Sequence, residues 1–353
     1  MVDFGVFLPN GSNGYLMSSA YKPYAPTFSD NLQITQLAEQ NGFDYVLPMI
    51  KFRGFGGDTG CWDECLEPFN LVAGLAAKTE KIKFFPTVSM PAVHPTYAAR
   101  MISTLDQISD GRTGLNAVTG WNKPEYSQMG LWPGDEYYSD RYTLAAEYVT
   151  ILRELWQNGE TTFEGKYFKL TDCKCFPVPN SHIDIVSAGQ SKQGLDFVEN
   201  FADYRFIIAN PNALKRLEEE VHSNKKRKFG NYLLFHLLAR ETDEEANKTV
   251  KTIVEKADIP AIETMLFGGS GDKNKEGTLE ALRQAKDAPV EEGNMAFGAH
   301  PCIYGSFTNV AEKINDIIEK TQPAGFMFAW ADFKEGIKDF GDKILPKIEI
   351  NRR

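Results

Sequence analysis

The sequence has no apolar run approaching the roughly 18 residues that a membrane-spanning helix needs. Its start, MVDFGVFLPNG, lacks the basic-then-apolar order of a secretion signal. A cytoplasmic protein is therefore expected. Cysteine is scarce, five in 353 residues, and none is spaced like a zinc ligand: Cys61 and Cys65 are four apart, Cys173 and Cys175 two apart, and Cys302 is alone. An odd count in a reducing compartment points to free thiols. Positive charge is in deficit too, with 38 Lys and Arg against 48 Asp and Glu, a net charge of -10. That balance argues against a nucleic-acid partner, whose phosphates require a basic face. The one basic run, Lys225 to Lys228, reads as a solvated turn. Nor is there a low-complexity tract, and 42% hydrophobic with 24% charged residues describes an ordinary globular chain.

Familiar catalytic patterns are missing as well. No P-loop, zinc spacing or Ser-His-Asp order occurs, which leaves hydrolase and kinase readings without support. The first apolar run ends in Pro9-Asn10-Gly11-Ser12-Asn13-Gly14, which does not match the G-x-G-x-x-G of a dinucleotide-binding turn.

What is present is an alternation. Apolar runs at Asp3 to Pro9, Tyr45 to Met49, Ile82 to Met90, Thr113 to Val118, Asp184 to Ser187, Tyr204 to Ala209, Tyr232 to Arg240 and Gly325 to Trp330 are interleaved with segments of helical spacing. Helices are expected over Leu32 to Phe43, Phe69 to Lys78, from Pro95, over Arg141 to Gln157, after Ser191, from about Asn212, and over Thr242 to Lys256 and Ser306 to Lys320. Continuous apolar strands separated by helices imply a parallel sheet covered on both faces. Eight such units close naturally into an α/β barrel of the (β/α)8 TIM type. A doubly wound open sheet is the competing topology, without its usual glycine-rich turn. The expected organisation is one barrel domain over residues 1–353, with insertions at about 10–30, 119–140, 158–183 and 258–304. Its site would lie at the C-terminal ends of the strands.

The segment from Asp110 to Tyr142 is the most conspicuous. After the fourth strand it spends some twenty residues on Trp, Tyr, Gly, Pro and isolated charges, far beyond the two to six of a plain connection. Around it stand several candidate groups. Met49 to Gly57, MIKFRGFGG, joins Lys51 and Arg53 to aromatics and glycines. It suits an anionic or planar ligand, and equally a surface loop paired to Asp58, Asp63 and Glu64. Ser191, where Ala188-Gly189-Gln190-Ser191 turns from a strand into a helix, is either a phosphate ligand or a plain N-cap. Arg141 and Tyr142 could complete an anion pocket beside it. Thr87 and Asn116, on neighbouring strands, would be costly inside a barrel unless each had a backbone or ligand partner. Glu125 either binds a ligand or caps the turn after Pro124, and His94 either starts a helix or belongs to the site. The glycine-rich Gly268 to Gly271 could centre a lid.

Asn116-Ala117-Val118-Thr119-Gly120-Trp121, followed by Lys123-Pro124-Glu125-Tyr126, carries a specific resemblance. With MIKFRGFGG and VSAGQS, and with FADYRF, GSFTNVAEKI and DFKEGIKDFGDKILP elsewhere, nearly the whole chain resembles the flavin-dependent monooxygenases of the bacterial-luciferase-like barrel superfamily. Within them it is most similar to the pyrimidine ring-opening group. The resemblance implies FMN contacts at Ile50, Lys51, Asn116, Glu125, Arg141, Tyr142 and Ser191, and an oxygen pocket at Thr87 and Asn116. It implies reduced FMN supplied by a separate NAD(P)H-dependent flavin reductase, with O2 as co-substrate. A flavin peroxide would attack C4 of uracil or thymine and open the ring between N3 and C4 to a ureidoacrylate. A homo-oligomer is implied by the same analogy. The chain departs from the pyrimidine enzymes at SMPAVHPTYAA, which contains His94-Pro95, and around residues 206–212 and 258–300. Those departures keep open a same-fold monooxygenase acting on a sulfone, sulfonate or other nitrogen heterocycle. A flavin-binding protein without turnover is the third reading, and Thr87 with Asn116 speaks against it.

Overall fold

The computed structural model describes residues 2–189, 191–223, 228–269 and 278–349. Most of the basic run at 225–228 and part of the glycine-rich stretch at 268–271 lie outside the described residues.

The apolar runs become parallel strands in the expected order. β1 (Asp3–Leu8) pairs with β2 (Tyr45–Pro48) on one side and β12 (Gly325–Ala329) on the other. β2 pairs with β3 (Lys83–Phe84), and β4 (Thr87–Ser89) pairs with β5 (Leu115–Val118). The ring continues through β8 (Ile185–Ser187), β9 (Tyr204–Ile208) and β10 (Gly230–Arg240) to β12. β3 and β4 are one strand interrupted at Phe85-Pro86, because proline has no N–H for the ladder. The break costs little: the Phe85 N–H donates to the Val46 carbonyl at 3.0 Å and the Pro86 carbonyl accepts from Asn116 N–H at 3.0 Å. The sheet therefore closes into the eight-stranded parallel barrel, and the open doubly wound topology is set aside. β11 (Cys302–Ser306) adds a further parallel strand along the C-terminal half of the long β10.

The helices of the alternation cover the barrel. Among them are α1 (Phe28–Gln40), α2 (Pro68–Ala76), α3 (Pro95–Ser109), α5 (Tyr137–Asn158), α6 (Lys192–Phe201), α7 (Pro211–His222), α8 (Asp243–Glu255) and α11 (Phe307–Thr321). The insertions are more regular than expected. The one after β5 holds α4 (Lys123–Ser127), and α5 begins at Tyr137, a turn before Arg141. The stretch at 158–183 is an antiparallel hairpin of β6 (Glu160–Glu164) and β7 (Lys169–Lys174). The stretch at 258–304 forms α9 (Ile259–Gly268), α10 (Thr278–Ala285) and the start of β11. A short α12 (Phe333–Asp339) follows β12, unanticipated because seven residues carry too little periodicity to stand out. No helix among the described residues is long and apolar enough to cross a membrane.

Side chains plug the lower barrel. Tyr45, Phe85, Tyr232, Leu234 and Met327 are buried together inside it. Tyr232 stacks on Tyr45 at 4.6 Å and on Tyr204 at 4.4 Å between ring centroids. The Tyr45 hydroxyl donates to the Phe326 carbonyl at 2.9 Å, so the ring is buried without an orphaned O–H. Gly5 makes room for it: a β-carbon there would lie 2.2 Å from the Tyr45 ring. The interior is filled from below, as in barrels generally, and open space lies at the C-terminal mouth.

Asn10, fully buried just beyond β1, ties that mouth together. Its Nδ2 donates to the carbonyls of Met49 at 2.7 Å and Leu66 at 2.8 Å, and its Oδ1 accepts the Met49 N–H at 3.0 Å. Asn10→Ala would leave three buried backbone groups without these partners, each worth roughly 1–3 kcal/mol. We expect a destabilisation of about 3 kcal/mol, read as a lower urea midpoint at unchanged slope. An unchanged midpoint would show that the Asn10 latch carries no stability.

Candidate functional site

The mouth of the barrel holds a cavity of about 290 Å3. Ile50, Lys51, Thr87, Asn116, Glu125, Arg141 and Tyr142 all line it, although they come from five separate places along the chain. Ser191 lines an adjoining cavity of about 460 Å3, which shares Trp121, Arg141, Tyr142 and Ala188 with the first.

Lys51 follows β2, and Glu125 lies in α4 within the aromatic insertion. Both are buried, and the Lys51 ammonium donates to Glu125 Oε2 at 2.6 Å. The other carboxylate oxygen accepts the Phe52 N–H at 2.7 Å, and the Gln128 amide donates to the Phe52 carbonyl at 2.7 Å. The two loops are thus clipped together across the mouth. The ammonium also lies 4.6 Å from the Phe55 ring centroid and 5.3 Å from that of Trp121. Burial pulls the Lys51 pKa below its ordinary value and the Glu125 carboxylate pulls it back up. The insertion is braced from behind. Tyr137 donates its hydroxyl to the Thr119 carbonyl, and Tyr138 donates to that of Trp121 at 2.8 Å.

Thr87 and Asn116 are directly opposite in the β4–β5 register. The Thr87 hydroxyl donates to the Pro48 carbonyl at 2.5 Å, so its oxygen can only accept, and it accepts from Asn116 Nδ2 at 2.9 Å. That chain fixes the amide orientation. Asn116 lines the cavity, while its Oδ1 is enclosed with no hydrogen-bond partner. An unmet buried acceptor is costly, so this orientation is held at a free-energy expense.

Ser191 is the N-cap of α6, its Oγ accepting the Gly194 N–H at 3.2 Å. The plain cap is therefore present, and its hydroxyl proton can still be donated to a ligand. Gly189 and Gly194 meet closely: a β-carbon on Gly189 would lie 2.3 Å from the Gly194 carbonyl oxygen, and one on Gly194 would lie 2.6 Å from the Tyr142 hydroxyl. The turn and the phenol can approach each other because both residues lack side chains. With Arg141 in the shared wall, this end of the paired cavities suits an anion.

His94 caps α3 and is exposed, its Nδ1 accepting from the Thr96 N–H at 3.4 Å. It does not line the cavity, in keeping with the helix-start reading. All five cysteines are free, as expected. Several wall residues were not singled out one by one in the sequence, although Phe206 ends FADYRF and His300 ends the departing stretch at 258–300. Phe7 in β1, Trp62 in the loop before α2, Phe206 in β9 and His300 before β11 converge only once the barrel closes. Tyr126 was quoted with its motif, but its hydrogen bond to Ser89 at 2.8 Å emerges only in three dimensions.

Comparison with known proteins agrees with this architecture. The sequence profile of the luciferase-like monooxygenase family matches residues 2–323. A curated relative, pyrimidine monooxygenase RutA of Pseudomonas savastanoi pv. phaseolicola, is 43% identical over 352 residues, covering 98% of this chain and 96% of its own. Among solved structures, riboflavin lyase RcaE, crystallised with modified FMN and its substrate riboflavin, superposes with a TM-score of 0.79 at 18% identity, covering 98% of this chain and 91% of that one. EDTA monooxygenase EmoA of Chelativorans sp. BNC1 superposes with a TM-score of 0.77 at 18% identity, covering 98% and 93%. At that identity the superpositions speak for the fold, while the profile and the curated relative speak for descent. The chain, a closed parallel barrel whose sequence matches the family profile over residues 2–323, belongs to the luciferase-like monooxygenase family.

Proposed function

We propose that this monooxygenase uses reduced FMN and O2 to open a pyrimidine ring, uracil or thymine, between N3 and C4, and that a separate NAD(P)H-dependent reductase supplies the reduced flavin. The observation that carries the reading is the Pro48–Thr87–Asn116 chain, which fixes a threonine and an asparagine side by side in the wall of the cavity. Support for the substrate comes from the curated relatives, named for pyrimidine oxidation.

The residues present fit FMN. Paired cavities with a common wall suit a planar ring joined to a phosphate-bearing tail. Ile50, Lys51, Asn116 and Glu125 would border the ring; Arg141, Tyr142 and Ser191 at the α6 N-terminus would hold the phosphate. When bound, reduced FMN supplies the electrons that activate O2. The protein contributes position and polarity. Thr87 and Asn116 present one fixed polar patch to the reacting atoms, and Thr87, its proton already given to Pro48, holds the Asn116 amide in a single orientation. Phe7, Leu47, Met49 and Phe206 exclude water around that patch. The Lys51–Glu125 pair keeps the β2 and β5 loops closed over it.

Residues that set this chain apart from the pyrimidine enzymes also border the cavities: Phe206 and His300 the first, Asn210 and the stretch from Ala281 to Ala299 the second. They favour a second reading, the same chemistry on a sulfone, sulfonate or other nitrogen heterocycle. A coupled assay decides between them: the protein with FMN, NADH and a flavin reductase in air, with uracil and thymine followed by mass spectrometry. Protein-dependent uracil loss to a ring-opened product supports the first reading, and untouched uracil moves the weight to the second.

Asn116→Ala should fold normally by circular dichroism yet lower uracil oxidation by roughly 100-fold or more, the scale of one preorganised polar group at a reacting centre. Turnover at the normal rate would remove Thr87 and Asn116 from the oxygen pocket. Ser191→Ala should weaken FMN binding roughly tenfold in a fluorescence titration; unchanged affinity would leave Ser191 as a cap alone. Glu125→Gln should cost roughly 3 kcal/mol by leaving the Lys51 ammonium buried without its counter-charge, whereas Lys51→Met combined with Glu125→Gln should recover part of that loss. A double variant no more stable than Glu125→Gln would show that charge pairing is not what holds the clip.

A further inference from the structure

His300 is a buried imidazole in the wall of the first cavity, and no role has yet been given to its ring nitrogens. Its ring centroid lies 6.1 Å from that of Phe7, 6.0 Å from Tyr15 and 5.7 Å from His236. Its Nδ1 is enclosed without a hydrogen-bond partner, on the Gly298 side, where a β-carbon on that glycine would lie 3.8 Å from it. Since the ring forms part of the cavity wall, Nε2 is the nitrogen a ligand reaches. Among the described residues no side chain or backbone group hydrogen-bonds to either nitrogen.

Burial, together with His236 close by, holds the His300 pKa well below its ordinary value, and burial pushes His236 down to about 4. Both rings are neutral at neutral pH, so His300 carries one N–H and one bare nitrogen. A buried orphaned N–H is rarer and less tolerated than a buried unmet acceptor. The better arrangement leaves Nδ1 bare in its enclosure and puts the proton on Nε2, toward the cavity. His300 thus offers the cavity one neutral donor, which matches the carbonyl oxygen of an uncharged heterocycle.

We propose that His300 is a specificity-determining residue that binds a carbonyl oxygen of the substrate through its Nε2–H. A neutral donor suits an uncharged carbonyl, since it holds the oxygen without introducing a buried charge that a neutral ring could not balance. The assignment rests on the pyrimidine reading above and adds the group that recognises the ring.

The test is calorimetric titration of the FMN-loaded, oxidised protein with uracil, 2-thiouracil and 4-thiouracil, comparing wild type with His300→Met and His300→Gln. Methionine fills the space without a donor, and glutamine can present an amide N–H at about the reach of Nε2. His300→Met should weaken uracil binding roughly tenfold, the scale of one hydrogen bond, and His300→Gln should restore most of it. The thio analogue that wild type binds less well should lose its disadvantage in His300→Met, because sulfur is the poorer acceptor, and that analogue identifies the carbonyl. FMN affinity should stay within about twofold throughout, well under the tenfold of a lost hydrogen bond. Equal uracil affinity in all three proteins overturns the assignment and leaves the pyrimidine reading standing. Parallel loss of FMN and uracil affinity marks a packing role and overturns it too. Wild type that binds FMN but no uracil removes the pyrimidine reading and this assignment with it.

Discussion

Closing eight parallel strands into a ring creates an interior that must be filled, and everything else in this molecule follows from where the filling stops. The lower barrel is packed by Tyr45, Tyr232, Phe85 and their neighbours, with the phenol of Tyr45 satisfied by a strand carbonyl. Above them the strands end in loops that cannot pack as densely, and the cavity lies between. A barrel of this kind confines binding to one face because only there do backbone ends and free side chains converge. Gly5 and the Phe85-Pro86 break are local concessions to that closure: one removes a side chain to admit a ring, the other gives up a ladder donor while its neighbours keep their bonds.

The loops over the mouth face a different problem, since long segments rich in Gly and aromatics have little secondary structure to hold them. The Lys51–Glu125 pair answers it. In the shelter of Phe55 and Trp121 the pair is barely screened, and the remaining carboxylate oxygen is taken by a backbone N–H. Buried pairs of this kind often contribute more to a single geometry than to net stability, and a single geometry is what a site on loops requires. Tyr137 and Tyr138 brace the same insertion from α5.

Within that frame the polar groups are oriented. Thr87 spends its proton on Pro48 and so dictates which way the Asn116 amide turns. His300, neutral by burial, keeps one nitrogen for the cavity. Beside the apolar side chains of Phe7, Leu47, Met49 and Phe206, such groups select by the pattern of donors and acceptors, because each unmatched one would cost more than its net contribution when paired.

Much of this was legible in the sequence. The eight apolar runs and intervening helical spacings specify a parallel sheet covered on both faces and favour a barrel, and closure of the strands set aside the open alternative. Thr87 and Asn116 stood out as polar residues on neighbouring strands that would face a barrel interior, and the loop after β5 stood out through its length. What the sequence read less well was short or antiparallel: the β6–β7 hairpin, α12 and the helices within 258–304 carry too few turns of periodicity to separate from loop. Composition and periodicity by themselves determined the fold class and the face that binds, since both depend on which residues must leave water. Only the tertiary structure decided that Lys51 meets Glu125 and not the acidic residues beside it, that His94 serves a helix, and that His300 joins Phe7 and Asn116 around one cavity. Those contacts span separations that local propensity cannot encode, and they come into being when the ring of strands closes.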